Sequence, residues 1–143
     1  MKLSYTLKLG TWDELQTPAQ FVRSQVFVLE QKIPAELEWD VMDAQCRHVV
    51  AFDAQENAIG TGRLLPDGHI GRMAVLAPFR NAQIGAAMLR VLVQEATDRG
   101  LTVVQLNAQI SAENFYLREG FTRVGEIFIE AGIEHIHMLK RCA

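Results

Sequence analysis

Three short stretches hold the side chains whose types and spacing could do chemistry. The first is Arg80-Asn81-Ala82-Gln83-Ile84-Gly85-Ala86. Arg80 is a cation that can fork onto a phosphate, and Gly85 and Ala86 let a ligand come close to the backbone. If a helix starts here, its first-turn N–H groups lack partners within the helix and its dipole favours an anion. The same spacing also fits an ordinary strand–turn–helix in which Gly85 is only a packing contact. The second stretch is Lys32 to Asp40, K-I-P-A-E-L-E-W-D, which sets Glu36, Glu38 and Asp40 around Trp39. It reads as a solvated loop anchored by its Trp, or as a pocket wall that draws a cationic amine to carboxylates beside an aromatic ring. The third, Asn107 to Phe121, carries Asn114 and Tyr116. A tyrosine there could protonate a leaving group. It could as well fill a core, because Ala112, Phe115, Tyr116 and Glu119 share one helical face.

Two other chemistries fit the residues less well. His135 and His137 stand two apart, as do Cys46 and His48. The two pairs would form a soft-ligand metal site only if their segments met in space. Alternation along half-exposed strands explains both pairs more simply, so no metal is expected. A P-loop nucleotide site is excluded because no Lys-Ser/Thr follows Gly85.

The elements that must position these residues follow from periodicity. Ile70 to Leu76 is an apolar run of strand length, and Ala77-Pro78-Phe79 marks a turn. Beyond it Ile84, Ala87, Met88, Val91 and Leu92 keep a helical rhythm that Gly100 closes. Upstream, residues 3–9 alternate as a first strand, and Gly10 to Pro18 is a connection with Pro18 suited to a helix start. Ala19 to Gln31 then has helical period. His48 to Asp53 and Ala58 to Leu65 form a hairpin turning near Asn57, and Pro66-Asp67-Gly68 leads into the central strand. Downstream come a strand over Leu101 to Ala108, a short helix from Ala112 to Glu119 with Ser111 as N-cap, and two strands over Phe121 to Glu130 and Ile133 to Arg141. Strands before, between and after helices predict an α/β fold: one domain over residues 1–143, with a mixed, mostly antiparallel sheet of about six to seven strands and helices on both faces.

Composition sets bounds on function. The chain has 143 residues, long enough for a sizeable core without staples. It is 49% hydrophobic and 22% charged, the balance of a globular protein. A net charge of −3 argues against nucleic acid as a partner. No run approaches the roughly 18 apolar residues of a membrane span, and Met1-Lys2-Leu3 does not begin a signal peptide. The two cysteines, Cys46 and Cys142, show no framework spacing and predict free thiols in a reducing cytoplasm.

The stretch from Val75 to Gly85 resembles the pyrophosphate loop of the GNAT superfamily of acyl-CoA N-acyltransferases. That loop has the pattern Arg/Gln-x-x-Gly-x-Gly/Ala between a strand and a helix, matched here by Val75, Pro78, Arg80, Ile84 and Gly85. Gln83 stands where the family usually has its first glycine. Ordinary right-handed dihedrals, with the side chain turned outward, would still let its N–H serve. The second motif is similar too: Asn114, Tyr116, Gly120 and Phe121 match one for one. The likeness extends over about Arg47 to Phe121, and loosely over the first helix. The run V-F-V-L-E-Q-K-I-P-x-x-L-E-W-D also resembles the front of a small stand-alone bacterial branch, which implies a substrate-side location for it.

The resemblance implies acetyl-CoA as donor, with Arg80, Asn81, Ala82, Gln83, Ile84, Gly85 and Ala86 around the pyrophosphate. Asn114 would contact the pantetheine or phosphate portion, and the backbone edge at Met73, Ala74 and Val75 would pair with pantetheine. Tyr116 would be the general acid near the thioester sulfur. Transfer would be direct, in a ternary complex, to a primary amine that is small or carried on a peptide. Such an amine is neutral in only about one molecule in two thousand at pH 7 and needs a base. Gly71-Arg72-Met73 occupies the place where many members carry a carboxylate. Glu30, Glu38, Asp40 and His48 are the candidates from the sequence, with Glu30, Glu38, Trp39 and His48 on the substrate side, and a water relay serves equally. A homodimer is compatible with the resemblance. The rival reading is a non-catalytic acyl-CoA-binding or regulatory module of the same fold.

Overall fold

In the computed structural model, which describes residues 4–142, the first helix starts at a capping box. Thr11 Oγ1 accepts from the Glu14 N–H at 3.3 Å, and Glu14 Oε1 accepts from the Thr11 N–H at 2.9 Å. Helix α1 therefore spans Trp12–Arg23, and Pro18 lies inside it rather than at its start. Pro18 withholds one N–H from the helix ladder. The capping box satisfies two orphan donors at the helix start, seven residues before Pro18. Leu3, the expected first residue of the opening strand, lies outside the described residues.

The chain leaves α1 as a π-helical segment, Ser24–Glu30, and not as the continued α-helix that the period predicts. Its wider winding turns two consecutive apolar residues, Val26 and Phe27, into the core below Val22. Gln31 N–H closes it onto the Val26 carbonyl at 2.9 Å. The stretch read as an irregular acidic loop holds a one-turn helix, α2 (Ala35–Glu38), and a 3-10 turn, Val41–Gln45. Asp40 caps that turn, accepting from the Met42 N–H at 2.9 Å.

Strands β1 (Tyr5–Gly10), β2 (Arg47–Asp53), β3 (Ala58–Leu64) and β4 (Ile70–Val75) form an antiparallel sheet in chain order. Strands β5 (Val103–Gln109), β6 (Thr122–Glu130) and β7 (Ile133–Arg141) form a second one in the order β5-β7-β6. The seven strands meet the expected architecture, and the sheet divides between β4 and β5. Helix α3 (Ile84–Asp98) packs Ile84, Met88, Leu89 and Leu92 against Val49 and Ala51 of β2. The intervening Val50 points the other way, to Leu15 and Ala19 of α1. The two helices thus cover opposite faces, as strand alternation requires. Gly100, at φ +83°, closes α3 as expected. Helix α4 (Glu113–Arg118) follows a 3-10 turn at Ile110–Ala112. That turn absorbs Ser111, and Ala112 rather than Ser111 takes the cap position. Among the described residues no helix is long and apolar enough to cross a membrane.

No residue of α2 is buried, so apolar packing does not hold it. Six charges do. Asp43 accepts from Arg23 at 2.9 and 3.0 Å and from Arg63 at 2.8 Å. Arg63 reaches Asp40 at 2.7 Å, Asp40 lies 3.8 Å from Arg72, and Arg72 lies 3.1 Å from Glu38. Glu38 pairs with Arg23 and closes an alternating ring. Burial pulls Asp43 and Asp40 upward, but the Arg23 and Arg63 guanidinium groups at Asp43, and the Met42 N–H followed by Arg63 at Asp40, outweigh it and hold both below the ordinary aspartate value. Carboxylates depressed in the folded state stabilise it above their unfolded value of about 4 and lose that contribution as pH falls below it. Urea midpoints should accordingly drop steeply below about pH 4. Asp43→Ala, which strips a shared partner from two buried guanidinium groups, should cost about 3–5 kcal/mol in urea unfolding at pH 7.

Candidate active site

Strands β4 and β5 start side by side and part. One parallel bridge joins His69 to Gln105, with the Gln105 N–H donating to Gly68 at 3.0 Å. Beyond it β4 pairs with β3 alone and β5 with β7 alone. The facing edge of β4 from Ile70 onward therefore has no strand partner. The gap opens into a cleft of about 820 Å³. One wall is Gly71 to Val75, another is Leu106, Asn107 and Gln109, and Tyr116 of α4 lines it as well. The π-helical segment, α2 and the β6–β7 hairpin complete it. Gln31 and Gln109 link the two halves by an amide hydrogen bond of 2.9 Å.

Strand β4 carries a bulge beside the cleft. Thr61 pairs with Ala74 and Arg63 with Gly71, so Arg72 and Met73 stand opposite the single Gly62. Arg72 has φ +51°, a left-handed conformation that an L-residue adopts at a cost. The bulge turns its side chain to the ring with Glu38 and Asp40.

The loop before α3 is built from left-handed residues as well. Asn81 has φ +66° and Gln83, the N-cap of α3, has φ +64°. The right-handed geometry expected for Gln83 is thus corrected: it takes the conformation that favours glycine. Left-handed residues in such a turn aim successive N–H groups into one concavity. The first intrahelical bond found here runs from the Ala87 N–H to the Gln83 carbonyl at 3.1 Å, leaving the preceding first-turn donors free of the helix ladder. Ile84 and Ala86 are buried under the loop, and Ala82 packs on the same core. Gly85 faces Phe115, where a Cβ would make ordinary contact at 3.5 Å.

Arg80 does not stand free. Its two terminal nitrogens donate to Glu30 at 2.7 and 2.6 Å, and its Nε donates to the Val75 carbonyl at 2.8 Å. Glu30 therefore belongs to the loop. Glu38 lines the cleft but is held by Arg23 and Arg72. Trp39 is 68% exposed and lies outside the cleft lining. His48 is buried elsewhere, 4.7 Å from the Trp12 ring, with Nε2 at 2.9 Å from the Asp43 carbonyl oxygen. Burial pulls its pKa below the ordinary histidine value. Cys46 and His48 sit on or beside β2 while His135 and His137 sit on β7, in the other sheet, so the two pairs do not come together.

Tyr116 is 8% exposed and lines the cleft, edge-on to Phe115 and Phe121. It is both core aromatic and cleft residue. Burial pushes its phenol up to about 12, so it keeps its proton at neutral pH. Asn114, two residues earlier, is exposed and does not line the cleft. The sequence reading missed His69, Gln109, Glu130 and His135 as cleft residues. The spacing of His135 and His137 was a usable signal, since it places both on one strand face.

A model of the acetyltransferase (GNAT) domain matches residues 14–142. The chain is 37% identical to the uncharacterized N-acetyltransferase YjcF of Bacillus subtilis strain 168, over 90% of this chain and 94% of the relative. A solved acyl-CoA N-acyltransferase from Pseudomonas aeruginosa superposes with a TM-score of 0.80 at 32% identity, covering 97% of this chain and 99% of that one. Escherichia coli ElaA gives a TM-score of 0.86 at 25% identity, covering 96% and 99%.

Gln83→Gly should relieve the left-handed backbone and raise unfolding stability by about 1 kcal/mol, read as a higher urea midpoint. An unchanged or lower midpoint would mean that the Gln83 side chain compensates for its conformation.

Proposed function

Because the chain belongs to the GNAT acetyltransferase family, we propose that it moves an acetyl group from acetyl-CoA to a primary amine by direct attack within a ternary complex. The observation that supports this most is the unpartnered edge of β4, which runs between the loop before α3 and the Tyr116-lined cleft. The whole chain acts as one domain. Its free cysteines suit a reducing cytoplasm, and neither is needed as a nucleophile.

The residues present fit the donor. The backbone of Met73, Ala74 and Val75 offers an edge along which pantetheine can lie, each hydrogen bond contributing roughly 0.5–1.5 kcal/mol net. The concavity of Asn81, Ala82 and Gln83, with the N–H groups of Ile84, Gly85 and Ala86, receives the pyrophosphate. Arg80 exchanges Glu30 for phosphate oxygens, an exchange that both partners' exposure permits: their side chains are 37% and 44% exposed. Asn114, on the open face of α4, meets the outer part of the donor.

Tyr116 holds its proton at neutral pH and donates it to the sulfur as the thiolate leaves. Desolvation of the cleft strengthens that hydrogen bond. The acceptor enters from the α2 and β6–β7 side, opposite the loop.

Calorimetric titration with acetyl-CoA, and separately with CoA, tests the donor: saturable micromolar binding is expected, and none at millimolar ligand would overturn the reading. Gly85→Val should weaken that binding tenfold or more, because its γ-methyls would press on Phe115 and Val75 and displace the first-turn N–H groups of α3. Tyr116→Phe should leave it within about twofold and lower turnover by roughly 10²-fold or more. Full turnover without the phenol would remove Tyr116 from the mechanism.

A further inference from the structure

His135 is 6% exposed and lines the cleft. Its Nδ1 lies 2.7 Å from the Ile133 carbonyl oxygen, an acceptor, so Nδ1 carries a hydrogen and, in the neutral ring, the lone pair is on Nε2. The ring stacks on Phe128, with centroids 5.8 Å apart and planes at 25°. Nε2 stands 3.7 Å from Oε2 of Glu130, which also lines the cleft. With neutral His135 both atoms are acceptors and do not bond each other. Their spacing lets one ammonium nitrogen donate to both at ordinary hydrogen-bond lengths.

The topology sets this pair level with the donor's place. Strands β4 and β5 run parallel from the His69–Gln105 bridge. Four residues on along each stand Met73 and Gln109, and Gln109 pairs directly with His135. Tyr116 follows Gln109 on the next helix. The other cleft carboxylates, Glu38 and Asp40, are held by arginines of the ring. The titratable groups beside His135 are Glu130 on β6, His137 on its own strand and, 6.5 Å beyond that, His69; β5 presents the neutral Gln109.

We propose that Glu130 Oε2 and His135 Nε2 form the seat of the acceptor's ammonium group, and that His135 takes its proton before attack; this rests on the acyltransferase reading. The ammonium gives one proton to Nε2, which Glu130 then stabilises as imidazolium, and His135 passes it to solvent. The freed lone pair forms the N–C bond to the thioester carbonyl and the C–S bond breaks. Tyr116 protonates the sulfur, and the second proton lost by the attacking nitrogen restores the phenol through solvent. One proton is released overall.

The test uses n-butylamine hydrochloride as probe. Long-range ¹H–¹⁵N spectra of the histidine rings should show His135 hydrogenated at Nδ1, with its Nε2 signal moving saturably as n-butylammonium is added. Glu130→Gln, a change at a 55% exposed side chain, should weaken that response at least tenfold. A hydrogen on Nε2, or no saturable shift, overturns the seat. With acetyl-CoA saturating, His135→Gln should lower kcat/KM for n-butylamine at least 100-fold at pH 7. Its rate should then climb about tenfold per pH unit toward the amine's own value near 10. A deficit that stays constant with pH overturns the base, because a merely structural role would not depend on amine protonation. Acetyl-CoA titration of the same samples separates the two ideas: lost donor binding defeats the acyltransferase reading, whereas the ring spectra judge the seat without donor.

Discussion

Arg23, Asp43, Arg63, Asp40, Arg72 and Glu38 close into a ring of alternating charge, and one wall of the cleft depends on it. The segment it secures, residues 35–45, contributes little to the core: Leu37, Trp39 and Val41 are 55%, 68% and 90% exposed. Without the ring that segment would keep the Asp40 cap and the contacts of His48 with the Asp43 carbonyl and of Cys46 with the Met42 carbonyl. Desolvating six charges is expensive, and an apolar substitute could be as stable. What the charges add is position. Each carboxylate is shared between two guanidinium groups from different elements, so α1, β3, β4 and the α2 region hold one another in place.

The ring also settles which groups remain available for chemistry. It consumes Glu38 and Asp40, two carboxylates that composition alone would offer to an incoming amine. Glu30 is consumed at the other end by Arg80. Among the groups that remain in the cleft are a histidine whose Nδ1 hydrogen is held by a backbone carbonyl, a carboxylate beside it, and a buried phenol that keeps its proton. All three belong to the β5 side of the gap where β4 and β5 part, across from the β4 edge. The parting leaves the β4 edge open, whereas a closed sheet would have spent it on β5.

Much of the fold was legible because periodicity reports burial directly. The β2–β3 hairpin, the helix ended by Gly100 and the two closing strands all followed from alternation or helical rhythm with a turn residue at the boundary. The misreadings have two causes, one local and one tertiary. Pro18 looked like a helix start, although Thr11 and Glu14, three residues apart, already formed a stronger one. The π-helical winding of Ser24–Glu30 depends on which side chains the sheet can accept, and period alone does not encode that.

For the site, the sequence by itself determined the strand, turn and helix around residues 70–98, and it placed Tyr116 on a short helix after a strand. Those features are local: a few adjacent residues and their dihedral preferences suffice to specify them. Only the tertiary structure decided which charges pair. Arg80 with Glu30, Arg23 with Asp43, and Glu130 beside His135 are partners 50, 20 and 5 residues apart. Their pairing depends on how helices and strands pack, and a carboxylate's availability depends on that pairing. Gln83 shows the same division in one residue: the sequence names a glutamine, and the surrounding fold holds it in a glycine's conformation.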